Sequence, residues 1–595
     1  MIPTPRVAGL LCAFGLPIGA ILAAEPPAVS PPLSPAGLRQ MARDHYRWYF
    51  EEYPVAATDA GRHDGDGRLA DYSAPARERR RARVDSMLAA LDAAAAARWS
   101  VDDRVDLELL RSDLARLGFD ERVLRRARRD PGLYVEECTN GIFSLLKKEY
   151  APRAERARAA ASRMRSMPAL LDEARTNLDE VVPLLGRLAR EAIQGAPALF
   201  NDSLGTLLDE IPNKERAGFV EAREGALAAL RAFDAWLKSQ EKAFRAPLAI
   251  GRESYDRLLH EVYLLPLDSG QLVTLGQIEL ARAKAMESWL ADPGLADTLP
   301  PSGGRPVPAS SRAFLAAYEA QTPVLLEHIS RREIVTVPNY IGPFRILELP
   351  DAFRPTSPGG FMNAPGVFDA DPSGFYFVPA FDPNSQNFYM RAALSNPLPI
   401  LGHEGIPGHF LQISIANHNP VEIRRMHQDG VFQEGWALYG EEMLMRTGLY
   451  DQSPEGQAQV LRLMRYRAAR VPVDVKLATG EWTFAQAVDY FMKEGGLDRE
   501  AATGEAAGAA ATPGQKMNYM VGKHQIERLL GLYRARRGSQ FRLWEFHDQL
   551  LSYGSVPLSL VEWLMLDDDA TFRAVVEKRR AADPQVNRAA SDRQN

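Results

Sequence analysis

The sequence predicts a mainly α-helical protein with a small β element set within it. Three observations carry the prediction. Apolar residues recur at helical spacing from Ala36 to about Arg332, among them Met87, Leu88 and Leu91, then Leu107, Leu110, Leu114 and Leu117. Near residue 333 the spacing gives way to short β-rich runs and a long Pro/Gly stretch. After residue 396 helical spacing returns and persists to about residue 580.

The composition supports a folded body. Of 595 residues, 46% are hydrophobic and 25% charged, the balance of an ordinary globular chain that can bury a large core without staples. A net charge of −6 supplies no basic field, which argues against nucleic acid as the partner. The two cysteines are Cys12, near the N-terminus, and Cys138. Once the N-terminus is cleaved, neither an internal disulfide nor a cysteine-rich zinc site is possible.

Residues 1–24 have the layout of a secretory signal peptide. One positive side chain, Arg6, precedes an apolar run from Val7, and small residues end it before Glu25, with cleavage after Ala23 or Ala24. The alternatives are an uncleaved anchor, for which Gly15, Pro17 and Gly19 make a poor span, and a lipoprotein, for which Leu11 is a poor neighbour of Cys12. No later run approaches the roughly 20 apolar residues of a membrane-spanning helix. The mature protein is therefore expected to be exported, periplasmic or secreted, with no stable membrane span. Residues 25–35 read as a flexible linker. A helical half follows over 36–332, then a strand-and-loop insert over 333–395. In the insert, Ile334–Val337, Arg345–Leu349 and Phe375–Pro379 read as strands, with a Pro/Gly loop over roughly 350–374. A second helical half covers 396–580, and residues 581–595 form a polar tail. The Arg-rich runs Arg79–Arg81 and Arg125–Arg129 read as solvated helix faces.

Chemistry concentrates at 403–434. Two of only ten histidines fall in Gly402-His403-Glu404-Gly405-Ile406-Pro407-Gly408-His409. In the HExxH zinc motif two histidines four apart share a helix face and the Glu is the general base. Here they are six apart, and on a regular helix they would point about 120° apart. Pro407, which lacks an N–H, and the flanking Gly405 and Gly408 predict a bulge or broken turn that returns His409 to His403. Glu434 lies 25 residues beyond His409 at the start of a second helix, as a third ligand requires, and Glu441 and Glu442 compete for that role. The plainer alternative is a helix-start His and Glu with structural hydrogen bonds. Arg391, just upstream, is a candidate for a substrate carboxylate or for a structural ion pair. His63, His418, His427 and His547 read as turn, capping or surface residues.

The blocks His403–His409 and Glu434-Gly435-Trp436-Ala437-Leu438-Tyr439 resemble the signature blocks of the bacterial domain-of-unknown-function 885 family. Agreement continues in Tyr53–Thr58 with Gly61, His63, Asp66 and Leu69, in Pro513-Gly514-Gln515 with Tyr519 and Gly522, in Glu545–Asp548 and in Val556–Leu558. The resemblance spans roughly 40–570 and implies one large domain over 36–580. The family is in turn similar to the helical gluzincin peptidases, such as angiotensin-converting enzyme and the thermostable carboxypeptidases. That likeness implies a large helical bundle-type, metallopeptidase-like fold with a zinc site in a deep cleft and the β element near it.

In such an enzyme His403, His409 and Glu434 would hold Zn²⁺ and leave one position open for water, whose pKa falls towards about 7. Glu404 would take the water proton and hand it to the leaving amine. Tyr519 resembles the downstream Tyr that steadies the oxyanion, its plainer alternative being a buried aromatic on an amphipathic helix. The chain departs from the family pattern at Phe410, at Ala478 and at Gly508-Ala509, where many members carry His, His and Arg-Tyr. Lys476, Lys523 and His524 are candidates for replacement charge at the substrate. The expected activity is an exported zinc-dependent hydrolase of peptides or small amides, an exopeptidase or oligopeptidase. The alternatives are a weak or inactive relative that binds peptides or an envelope partner, and a zinc amidase or esterase on a non-peptide substrate.

Overall fold

The computed structural model describes residues 33–292, 307–349 and 359–582. The signal segment, the linker through residue 32, part of the Pro/Gly loop and the tail from residue 583 lie outside the described residues. The protein is mainly helical, 72% helix against 2% strand.

Helix α1 (Pro35–Glu52) starts where the Ser34 hydroxyl accepts the Gly37 N–H and Pro35 fills the first turn, so the linker ends just before residue 35. Helix α2 (Val101–Phe119) is capped in the same way by Ser100. Helices α3 (Gly132–Leu146), α4 (Arg153–Asn177), α5 (Pro183–Pro197) and α6 (Asn213–Gln240) enclose a core of their own, centred on Ile142, Met164, Leu227 and Phe233. Helix α7 (Ser269–Leu290) opens with a reciprocal cap between Asp268 and Gln271. Its Leu272 joins Leu110 of α2 in a second, larger core that also takes Trp436, Val471 and Val561. That core runs continuously across residue 332 and ties the two ends of the chain together.

The insert forms a three-stranded sheet. Strands β1 (Phe344–Glu348), β2 (Phe361–Asn363) and β3 (Gly374–Val378) lie in the order β1-β3-β2, with β1 parallel and β2 antiparallel to β3. β3 is central and buried along its length. β1 and β3 lie where the sequence predicts strands. β2 sits inside the stretch that reads as loop, because only three residues pair. Ile334–Val337 is not a strand. Its Ile334 carbonyl accepts from His547 Nδ1 at 2.7 Å and its Thr336 N–H donates to Asp548 at 2.8 Å, so helix side chains take the groups a ladder would need.

The rest is helical: α8 (Phe388–Ser395), α9 (Pro397–Glu404), α10 (His409–Asn417), α11 (Gly430–Arg446), α12 (Pro454–Thr479), α13 (Arg499–Ala511), α14 (Asn518–Arg537) and α15 (Leu543–Ser552) among them. Helix α7 packs along α12, and α11 along α14. The second pair meets backbone to backbone. A Cβ on Gly522 would overlap the Val431 carbonyl oxygen, and one on Gly435 would overlap Gly522. Glu442 of α11 ties the same region electrostatically. It pairs with Arg282 of α7, with Arg446 at 2.8 Å and with the fully buried Lys523 of α14 at 2.8 Å.

Two outcomes follow from this packing. Gly522→Ala forces α11 and α14 apart and is expected to cost about 3 kcal/mol, read as a lower midpoint in urea unfolding. Burial alone would raise the Glu442 carboxyl, but Lys523 and Arg282 outweigh it and hold the group at about 2, against 4.5 ordinarily. Its stabilisation is present above pH 4.5 and fades as the pH falls towards 2. The stability gap between wild type and Glu442→Gln should therefore be about 3 kcal/mol at neutral pH and shrink steadily below pH 4.5. A gap that stays constant with pH would refute the charge origin.

Candidate metal centre

Helix α9 ends at Glu404 and α10 begins at His409, with the four residues between them outside either helix. The Ile406–Pro407 peptide is cis. Gly408 passes so close to the end of α9 that a Cβ there would overlap the His403 carbonyl oxygen, a close approach only glycine permits. The broken turn is pinned from α11, whose Trp436 indole N–H donates to the Pro407 carbonyl at 2.7 Å. The break rotates His409 back beside His403. Their ring centres lie 4.7 Å apart and the rings are nearly perpendicular, at 85°.

Glu434, in the first turn of α11, completes the group. One ligand atom from each of His403, His409 and Glu434 lies within 4.8 Å of the others. His409 Nε2 is 3.2 Å and His403 Nε2 3.8 Å from Glu434 Oε2. That oxygen is buried with only the two imidazole nitrogens as polar neighbours, which is costly for a carboxylate unless a cation meets it. Burial and the nearby Arg467 keep the His403 imidazole well below its usual pKa, hence neutral, as a ligand must be. Burial would raise Glu434, but His409, His403 and the Tyr519 hydroxyl bring it down to about 2. Burial would lower the His409 imidazole, but Glu434 outweighs it and raises the group, which holds a proton that a bound cation would displace. Two imidazole nitrogens with one carboxylate oxygen suit zinc. The residues present fit that ion.

Glu441 is one of the sequence candidates for a ligand, and its place is behind the ligands. It is fully buried, with Oε1 2.7 Å from His403 Nδ1, the ring nitrogen facing away from Glu434. Arg467 of α12 meets both its oxygens, at 3.1 and 3.3 Å. Such carboxylate–histidine pairs fix the ring and its tautomer. Glu442 faces the other way, into the α7–α14 ion pairs.

The centre opens into a cleft of about 700 Å³. His403, Glu404 and Tyr519 line it, together with Tyr376 of β3, Ala393 of α8 and Leu188 of α5. The small residues Gly504, Ala507, Gly508 and Ala511 of α13 form another wall. Burial raises the Glu404 carboxyl to about 7, in the range of a general base or acid at neutral pH. The Tyr519 ring lies parallel to His403, 6.0 Å away, and 4.4 Å from the Arg470 guanidinium. Arg470 is in turn doubly bonded to Glu505 at 2.7 and 2.8 Å. Asp474, fully buried one turn further along α12, accepts the Gly514 N–H at 2.7 Å and the Met517 N–H at 3.0 Å. It thereby sets the loop that brings Lys516 to the cleft and leads into Tyr519 at the start of α14.

The other expected residues fall elsewhere. Arg391 is exposed on α8 and does not line the cleft. Lys523 is buried between Glu442 and Glu527, and His524 does not line the cleft. Lys476 rests over Trp482. Ala478 is buried at the end of α12, and Phe410 stacks on Phe344 with centres 5.0 Å apart. His418, His427 and His547 make structural contacts, to the Ser414 carbonyl, Asp113 and the Ile334 carbonyl, and His63 stacks on Tyr150. Sequence reading missed Arg467, Arg470, Glu505 and Lys516. The available signal was a line of charges, Arg467, Arg470 and Asp474, at positions i, i+3 and i+7 within the apolar stretch from Tyr466 to Val475.

Fold and site together define a mainly helical protein with two histidines and a glutamate converging beside a cleft that His403 lines. The chain belongs to the family described as bacterial protein of unknown function (DUF885), which matches residues 54–565. Among solved structures it is similar to a "putative lipoprotein of unknown function" from Shewanella oneidensis, with 23% identity and a TM-score of 0.71 over 90% of this chain and 100% of that one. It is also similar to a "putative lipoprotein" from Colwellia psychrerythraea, with 17% identity and a TM-score of 0.67 over 91% and 99%. At these identities the likeness is one of fold. No curated protein matches. Among the described residues no helix is long and apolar enough to cross a membrane.

The purified protein should carry about one zinc per chain by elemental mass spectrometry, and Glu434→Ala should lose it. Trp436→Phe leaves the Pro407 carbonyl without its donor and should weaken zinc affinity about tenfold, measured by chelator competition. Undiminished zinc in Glu434→Ala would remove that residue from the centre.

Proposed function

We propose that the protein is an exported, zinc-dependent hydrolase of gluzincin type that cleaves peptides. One observation carries the reading: three ligand atoms of the right chemistry, two imidazole nitrogens and one buried carboxylate oxygen, converge within 4.8 Å of one another. The next residue after His403 is Glu404, a carboxyl facing the same cleft.

A zinc ion bound there would supply Lewis acidity, polarising a water and the scissile carbonyl. The chain's own groups do the rest. His403, His409 and Glu434 would hold three positions and leave a fourth for water. Glu441 and Arg467 keep the His403 ring oriented. Glu404 holds the attacking water, takes its proton and passes that proton to the departing amine nitrogen, which keeps the proton count balanced across the step. The Tyr519 hydroxyl donates to the carbonyl oxygen as negative charge builds on it. Tyr519 can do so because burial raises its phenol well above its usual pKa and keeps it protonated. Of the strands, β3 has both edges paired, so an edge for a peptide backbone is offered only by β1 or β2. The N-terminal signal layout supports export.

Glu404→Gln should keep its zinc and lose hydrolysis of a peptide library by about 100-fold or more. A zinc-loaded Glu404→Gln protein with wild-type turnover would sink the assignment.

A further inference from the structure

A second cavity, of about 500 Å³, shares no lining residue with the cleft. It lies among α2, the helix Ala74–Asp92, the turn that follows α2 and the last helix, Ala570–Ala582. Its volume is that of a small-molecule site, and its lining combines an apolar half with a charged one. Leu88, Ala115, Phe119, Val123 and Val576 are apolar. Five arginines, Arg111, Arg122, Arg257, Arg579 and Arg580, face three acids, Asp92, Glu108 and Glu261. Arg257 pairs with Glu261 at 3.0 and 3.2 Å. Arg111 takes Asp92 and, at 3.3 Å, Glu108. Arg122 turns to Asp85 at 2.6 Å, an acid that does not line the cavity. Gly118 leaves room for that guanidinium, which an added Cβ would overlap. With Asp85 counted, one positive charge remains unanswered. Arg579 donates from Nη1 to Glu108 at 2.8 Å and from Nε to the His260 carbonyl at 2.8 Å, but its Nη2 is buried and has no hydrogen-bond partner. Arg580, beside it, is exposed and has no ion-pair partner among the described residues. A buried guanidinium donor without an acceptor is costly, and an anion in the cavity would answer it.

We propose that this cavity binds a small amphipathic monoanion, a carboxylate on an apolar body. Arg579 and Arg580 hold the carboxylate, and Phe119, Val123 and Val576 cover the body. The planar fork of an arginine matches a carboxylate, and one such group neutralises the one charge left over. A polyanion would meet Asp92, Glu108 and Glu261 as well. The inference goes beyond the peptidase reading and does not depend on it, since none of these residues lines the cleft.

The probe is octanoate, compared by calorimetry with 1-octanol, which lacks the charge, and with acetate, which lacks the body. The mature protein is measured as purified and again after chelation of any metal. Octanoate should bind about tenfold or more tightly than either comparison compound, the scale of a charge-assisted hydrogen bond. Chelation should leave its affinity unchanged, whereas a carboxylate captured at His403, His409 and Glu434 would be released. Arg579→Gln should weaken octanoate about tenfold and leave 1-octanol within about twofold, and Arg579→Lys should restore only part, because the fork is lost. Arg580→Glu, at an exposed position with no partner to lose, serves if the Arg579 variants do not fold and should weaken octanoate at least as much. No octanoate binding at millimolar concentration, equal binding of 1-octanol, affinity unchanged in the arginine variants, or binding lost on chelation would overturn the site.

Discussion

The hydrogen bond from the Trp436 indole to the Pro407 carbonyl holds together two segments 29 residues apart, and the ligand group depends on it. Without it the four residues between α9 and α10 have little reason to keep one shape. With it the broken turn is fastened to the helix that carries Glu434, two residues before Trp436. One contact thus sets both the angle between the histidines and their distance from the carboxylate. Trp436 is fully buried, so its N–H has no water to turn to and the Pro407 oxygen is its partner.

A second layer of constraint acts from α12 and α14. The glycine pair at 435 and 522 lets α14 approach α11 at backbone distance, and Tyr519 rides one turn ahead of Gly522 into the centre. From the other side, three charges of α12 serve three tasks in succession. Arg467 holds the carboxylate behind His403, Arg470 supports the Tyr519 ring and Glu505, and Asp474 gathers the backbone N–H groups of the preceding loop. Each charge is buried and answered, as an apolar interior demands. A helix that reads as core in composition is also the back plate of the site.

The legible part of the site was its local chemistry. A proline between two glycines, set between two histidines, announces a broken helix, and the helix is broken there. Glu434 could be preferred as a ligand candidate from its place near the helix start, with Glu441 and Glu442 as competitors. Glu434 and Glu441 are seven residues apart and share a helix face, so spacing gives no sign that Glu441 stands behind His403. Lys516 was missed for a different reason. Its position is set by Asp474, a residue on another helix, through backbone groups that leave no trace in side-chain pattern. Lys523 and His524 looked equally suitable and sit on α14, turned towards other helices. Ile334–Val337 failed as a strand because residues more than 200 positions away claim its backbone. The helices themselves read well because their apolar spacing is a local property of the chain.

The wall made by α13 has an evolutionary consequence. At Gly504 an added side chain would meet nothing within 4 Å, whereas at Gly508 it would press on the flexible end of Lys516. Mutation at the first position can narrow the chamber without disturbing its neighbours, and mutation at the second can displace the ammonium. Gly435 and Gly522 allow no such freedom, since each leans on the other's backbone. Single changes on one helix can therefore reshape the cleft while the frame that carries His403, His409 and Glu434 stays fixed.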